Sequence, residues 1–216
     1  MPEESQLLRH VPAGAGRVLV CADDVAPLAA ALRALGVAEI VAVADGPAVA
    51  GEAAAVDQLL RGTLETVGHA LSGPFDVILC EENLARVRDH AACLLALLPL
   101  LRPGGKLLAQ VPNLQYYAHV IGLLEGRWEY QPGTALDRRN LRFFTAFSLS
   151  QAVKTAGFHC DQVMVTHLAP TEDVTRDAEG YLVFDRFRLG PFDDHGYNGY
   201  RARTLLVVAT RPEPGA

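Results

Sequence analysis

Across residues 75–113 the chain passes from a short apolar run through a polar interruption to a longer apolar stretch and then a second short run. The pattern predicts a β-turn-α-turn-β unit. Phe75, Val77, Ile78 and Leu79, introduced by Gly73-Pro74, read as a strand buried on both faces of a parallel sheet. Glu81, Glu82 and Asn83 interrupt the run. Ala92, Leu95, Ala96, Leu98 and Leu101 then recur near helical spacing, and Arg102-Pro103-Gly104-Gly105 supplies the cation, proline and glycines that close a helix. Residues 106–111 read as the next strand, ended by Pro112. Two parallel strands joined through a helix require a right-handed crossover and a sheet with helices packed on it.

The same alternation extends both ways. Residues 4–11 read as a short helix, 17–21 as the first strand and 39–43 as the second. Between those strands Asp23 or Asp24 is placed to cap a helix running through Leu28 and Leu32 to Gly36, with Pro27 in its first turn. Residues 48–62 predict a helix leading to a short strand near Leu59 and Leu60, and 63–71 a further helix. Beyond Asn113, an amphipathic helix is expected over 115–125, a helix over 148–157 with Ser148 as its N-cap, and strands over 160–167 and 200–210. Residues 170–199 are loop-rich and acidic, with a candidate strand over 181–187. Strands alternating with helices make a doubly wound α/β sheet, which holds ligands at the carboxyl ends of its strands.

Composition narrows the classes. With 216 residues, 50% hydrophobic and 20% charged, the chain suits a single domain over 1–216. Its core is expected over 17–113 and 148–210, with a substrate-side cap over 114–147. A formal net charge of −6 argues against nucleic acid as a partner, since phosphate binding needs a clustered basic surface. Cys21, Cys80, Cys93 and Cys160 are widely separated and form no CxxC pair, as expected of reduced residues in a cytoplasmic protein. The longest apolar run, 91–101, falls short of the ~20 residues that span a bilayer. The opening MPEESQLLRH carries acid where an export signal needs base. No membrane span is therefore expected.

Three segments, FDVILCEENLARVRD, LLPLLRPGGKLLAQVPN and GRWEYQPGTALDRRNLRFFTAFSLSQAVKTAGF, carry a family likeness. Over residues 7–210 the chain resembles class I S-adenosylmethionine (SAM)-dependent methyltransferases. It most resembles a bacterial branch found beside glycosyltransferases and in polysaccharide or natural-product gene clusters. The resemblance implies a Rossmann-like α/β fold: a seven-stranded, mostly parallel sheet with helices on both faces and an antiparallel last strand over 203–209.

The resemblance also implies which positions meet SAM, and several carry other residues here. The first strand of the family ends in an acid followed by a glycine-rich turn that lets backbone approach the cofactor. The aligned residues are Val20, then Ala22, Asp24 and Ala26, with Asp23 among them. Asp23 and Asp24 would put carboxylates near the carboxylate of SAM, where like charges repel; the bland alternative is two capping aspartates. At the ribose position Ala44 precedes Asp45, which serves only if the turn is shifted and is otherwise an Asp-Gly-Pro turn residue. Thr63 stands where an aspartate reads the adenine amino group. Ala85-Arg86 replaces Glu-His after the fourth strand, and Asn140, which does not titrate near neutral pH, replaces a histidine. Glu82 is the candidate nearest the methyl group. His119 and Asn140 are the candidates for acting on the acceptor.

Other constellations are weaker. Asp23, Asp24, Glu81 and Lys106 superficially resemble the acidic pocket of response-regulator receiver domains, but the spacing is too long and the chain past Asn113 has no counterpart there. Asp193-Asp194-His195 beside glycines reads as a solvated loop, and no metal is expected. Trp128 and Tyr130, with Arg142 and neighbouring arginines and phenylalanines, form an aromatic and basic group suited to stacking on a sugar, a nucleobase or a partner surface, or to holding a small satellite core. Two functions follow. One is SAM-dependent methyl transfer to a hydroxyl or amine of a saccharide or small metabolite. The other is a non-catalytic protein of the same fold, with its SAM site lost, that binds a ligand, a protein partner or a second copy of itself. Polar, chemistry-bearing positions have changed while Pro103-Gly104-Gly105 and Phe143-Phe144 remain, which favours a decayed cofactor site on a preserved scaffold.

Overall fold

In the computed structural model, which describes residues 6–215, the apolar runs become the strands of one seven-stranded sheet. The first half runs β1 (Arg17–Ala22), α1 (Ala26–Ala34), β2 (Glu39–Ala44), α2 (Glu52–Ala55), β3 (Gln58–Arg61), α3 (Leu64–Val67), β4 (Phe75–Glu81), α4 (Asn83–Arg86), α5 (His90–Leu97) and β5 (Leu101–Pro112). The second runs α6 (Tyr117–Leu124), α7 (Ala146–Thr155), β6 (His159–Leu168), three two-residue strands β7 (Thr175–Arg176), β8 (Leu182–Val183) and β9 (Arg188–Leu189), then α8 (Asp194–Arg201) and β10 (Ala202–Thr210). The sheet order is β3-β2-β1-β4-β5-β10-β6, parallel throughout except for β10, which runs antiparallel between β5 and β6. This is the expected α/β fold, with its final strand inserted antiparallel.

Strand alternation divides the core into two layers. Val18, Val20, Val77 and Leu79 face Leu28 and Leu32 of α1 and Leu7 of an N-terminal 3-10 turn. Leu19, Cys21, Ile78 and Cys80 face Leu94 and Leu97 of α5 and Leu149 and Val153 of α7. All four cysteines are free thiols, and no helix among the described residues is long and apolar enough to cross a membrane.

Several expected boundaries move, each for a local reason. The N-terminal helix is a 3-10 turn over Gln6–His10; the part of the expectation on residues 4 and 5 lies outside the described residues. Residues 48–62 form no continuous helix: α2 ends at Ala55, and 58–61 pair with β2 as an edge strand, led in by Asp57, whose carboxylate accepts from the Ile40 N–H at 2.7 Å. Pairing along β2 outweighs helix propensity there. Arg102 to Gly105 do not close a helix. The helix becomes a 3-10 turn at Leu98–Leu100, around Pro99, and Gly104 (φ +72°) kinks the entry to β5, donating its N–H to the Arg211 carbonyl at 2.9 Å. The N-cap of α7 is Thr145; Ser148 completes its capping box from the third helical position. Residues 181–187 hold only part of a small three-stranded sheet, and 194–201 are helical where a loop over 194–199, including Asp194-His195, and the first two residues of the last strand were expected. Asp193 caps that helix, accepting from the Gly196 N–H at 2.8 Å.

Candidate functional site

From β1 the chain builds outward to β3, then crosses back to β4, so a switch point opens between the carboxyl ends of β1 and β4. Asp23 and Asp24 follow β1, Glu81 ends β4 and Glu82 follows it. Four carboxylates so placed need cations. Arg86, the last residue of α4, supplies one: its guanidinium pairs with the carboxylates of Asp23 and of Glu82 (2.7 Å for Glu82), and its side chain is only 6% exposed. Arg139, from the irregular segment after α6, holds the other oxygen of Asp23 at 2.8 Å. Glu82 adopts φ +63°, a left-handed conformation that non-glycine residues rarely take, and its N–H is fixed by the Gln110 carbonyl at 2.8 Å. Burial raises the Glu81 pKa, and the neighbouring Glu82 and Asp23 charges push the same way against Arg86. Burial also raises that of Asp45, opposed by Arg86 and reinforced by Asp23.

A second ion pair fills the adjoining ground. Glu52, at the start of α2, is 1% exposed; it accepts from the Val25 N–H at 3.5 Å and pairs with Arg61 from the end of β3. Arg61 also donates to the Gly46 carbonyl at 3.2 Å. Gly46 itself lies so close to the β1 loop that a Cβ there would sit 2.5 Å from the Asp23 carbonyl oxygen. A cavity of about 220 Å³, lined by Asp23, Glu81, Glu82 and Arg86, opens at the switch point.

Residues 131–142 cross this cleft as a strap. Leu141 and Arg142 both donate their N–H groups to the Ala85 carbonyl, at 2.7 and 2.9 Å. Asp137 accepts from the N–H groups of Gly133 and Arg139, each at 2.9 Å, and pairs with the Arg139 guanidinium. Burial opposes ionisation of Asp137, but these donors prevail and lower its pKa to about 2. Asn140 is buried and stitches the strap, donating to the carbonyls of Thr134 (3.0 Å) and Ala135 (3.3 Å), while its Oδ1 has no hydrogen-bond partner among the described residues.

A family model described as a methyltransferase domain matches residues 20–163. The chain belongs to this methyltransferase family. Solved structures agree at the level of the fold. A SAM-dependent methyltransferase from Archaeoglobus fulgidus has a TM-score of 0.63 at 10% identity, over 94% of this chain and 90% of that one. One from Mesorhizobium loti has a TM-score of 0.58 at 18% identity, over 94% and 95%. A chain of the Haloferax volcanii complex between the Trm112 methyltransferase activator and a methyltransferase has a TM-score of 0.60 at 19% identity, over 96% and 88%. A search of curated proteins returns no match.

SAM is the cofactor that the methyltransferase family implies, and the residues of this cleft do not fit it. Side chains stand at Ala22, Asp24 and Ala26, positions at which the resemblance implies glycines that admit the cofactor backbone-on. Asp23 and Asp24 place two carboxylates after β1, which disfavours a further anionic group there, and the Arg86 guanidinium is already shared by Asp23 and Glu82. The 220 Å³ cavity is smaller than the roughly 300–1,000 Å³ typical of small-molecule sites.

The methyltransferase domain brings Ala22, Asp23, Asp45 and Glu82 to one end of the sheet, as their sequence positions imply. Asp24 does act at the helix start, accepting from the Ala26 N–H at 3.2 Å; Asp23 caps nothing and is held by the two arginines. The Thr63 hydroxyl caps α3, accepting from the Thr66 N–H at 3.2 Å. Arg142 points its guanidinium at the carbonyls of Leu141 (2.8 Å) and Arg88. Trp128 and Tyr130 are exposed, Trp128 edge-on to Phe143 at 6.1 Å and Tyr130 beneath Arg138 at 5.7 Å. Burial lowers the pKa of half-buried His119. Sequence reasoning missed Glu52, Arg61 and Arg139 as occupants of the site. For Arg86, the replacement of a family Glu-His was the available signal. Among the described residues no group of acids, histidines and cysteines is arranged to hold a metal ion.

Proposed function

We propose that this chain is a non-catalytic member of the methyltransferase family, a binding protein in which the chain's own ion pairs stand where the family holds SAM. The observation that carries this reading is the buried Arg86 guanidinium spanning Asp23 and Glu82 at the switch point. Glu52 with Arg61, and the close approach of Gly46 to Asp23, support it from the ribose side. A second reading, methyl transfer to a saccharide or small-metabolite hydroxyl or amine, draws on Asp45. That carboxylate sits one residue past β2 and makes no side-chain hydrogen bond among the described residues.

A melting experiment separates them. A ligand present at a hundred times its Kd stabilises a folded protein by about 2.7 kcal/mol, an increment of several degrees in Tm. The binding-protein reading expects the same Tm with and without millimolar SAM or S-adenosylhomocysteine. A concentration-dependent rise with either compound would restore the enzyme reading.

A further inference from the structure

The two edges of the seven-stranded sheet are unlike. β3 is four residues long and bracketed by charge: Asp57 before it is held by Arg33 and the Ile40 N–H, and Arg61 at its end pairs with Glu52. Short, charged edges of this kind resist pairing with another chain. β6 is ten residues long, about 34 Å of strand, and among the described residues it pairs only with β10. No other hydrogen bond reaches its backbone along the outer side among those residues. Its charged groups lie at its start. Asp161 is bonded by Lys106 Nζ at 2.8 Å and by the Thr210 hydroxyl at 2.6 Å, and the exposed His159 ring is 3.7 Å from the same carboxylate. Residues 162–168 contain no acid, lysine or arginine, and the one titratable side chain, His167, is bonded through Nδ1 to the Thr204 hydroxyl at 2.6 Å. Half-buried Val163, Met164 and Val165 stand at the middle of this uncharged edge. A second feature lies above it. α7 covers β6, with the Ser150 hydroxyl donating to Cys160 Sγ at 3.6 Å. Phe147 is on the same ridge of α7, three residues before Ser150, and is 75% exposed.

The geometry points to β6 as an interface between two copies of this chain, with the two strands pairing antiparallel across a two-fold axis and each α7 laying Phe147 against the other copy. Open backbone donors and acceptors select a strand as the occupant. The uncharged stretch 162–168 selects a strand that leaves no charge unpaired, and the same segment of a second copy meets both conditions. Self-pairing is isologous and consumes both β6 edges, while the guarded β3 edge stops growth, so the assembly closes at two. The two-fold also turns the α7 helices antiparallel. Exposed Lys154, the one charged residue of α7, then lies at opposite ends of the contact in the two copies. Strand pairing supplies direction and register, and Phe147 supplies buried apolar area at the centre. The interface is at the far edge of the sheet from the cleft between β1 and β4, so it stands whether or not the chain binds SAM.

Sedimentation equilibrium of the full chain across the micromolar range tests this, with amide hydrogen exchange measured on the same samples. Expected is a reversible monomer–dimer equilibrium with no larger species. Exchange over 159–168 should slow as the dimer fills, while 58–61 on the opposite edge stays unchanged. Two variants at exposed positions should each weaken the dimer by at least about tenfold. Phe147→Glu places an acid in the first turn of α7, where the helix dipole favours it, and Gln162→Lys places a charge on the bare edge. Both should keep the Tm of the wild-type monomer. The proposal is overturned by a chain that stays monomeric throughout the range, or by growth beyond two copies. It is equally overturned by a dimer whose 159–168 amides exchange as in the monomer, or by one that both variants leave intact, because another surface then holds the copies together. If either variant fails to fold, the wild-type exchange pattern decides alone.

Discussion

At the scale of single residues, Arg86 decides the character of the site. Its guanidinium is buried while Asp23 and Glu82 keep 33% and 25% of their side chains in water. Removing one member of a fully buried pair costs about 3–5 kcal/mol, and partial solvation of the two acids reduces what they lose. Arg86→Ala should therefore destabilise the fold by about 2–3 kcal/mol in urea titration. A change within about 0.5 kcal/mol, as for an ordinary surface site, would mean that the arginine does not hold the cleft together. The residue was visible in the sequence as a replacement of Glu-His. Its pairing with Asp23, 63 positions away, was not, because only the folding of β1 beside β4 brings the two together.

At the scale of elements, the strap over 131–142 seals the cleft, and Asp137 is its fastening. The carboxyl titrates at about 2 in the folded chain, below its ordinary value of 3.8. A depressed folded pKa contributes stability that is present above the unfolded value and is lost as pH falls through the folded one. The strap is therefore expected to hold above about pH 4 and to loosen progressively toward about pH 2. Amide exchange at Gly133 and Arg139, whose N–H groups bond this carboxylate, should accelerate over that window beyond the intrinsic pH dependence. Asp137→Asn should remove the extra acceleration, and an unchanged profile in that variant would rule out the carboxylate as the fastening. Elements with strong local signals were legible beforehand: β1, β2 and β4 as apolar runs, and the helix ended by Gly157. The edge strand β3 was seen only as a short run at Leu59 and Leu60, and the helix before it was overextended, because pairing with β2 is a tertiary effect that periodicity does not carry. Strap and α8 lack apolar periodicity, so hydrogen bonds to side chains define them instead.

At the scale of the whole molecule, the family fold is kept while the switch point holds the chain's own ion pairs. The strands of the sheet follow from buried apolar alternation, the antiparallel direction of β10 was implied by the resemblance alone, and the methyltransferase family model matches residues 20–163. Cofactor binding in such a fold depends on a few polar positions and on bare backbone, and the resemblance assigns Val20, Ala22, Asp24, Ala26 and Thr63 to those positions. The sequence therefore made changes at the positions the resemblance assigns to the cofactor legible, but not the ion pairs found there: the Asp23–Arg86–Glu82 and Glu52–Arg61 pairs exist only once β1, β3, α2 and α4 have come together. The most direct test is isothermal titration calorimetry of the wild-type chain with SAM and with S-adenosylhomocysteine at neutral pH. Occupation of the cleft by the chain's own ion pairs predicts no binding isotherm up to millimolar cofactor; a one-to-one isotherm with a micromolar Kd for either compound would contradict it.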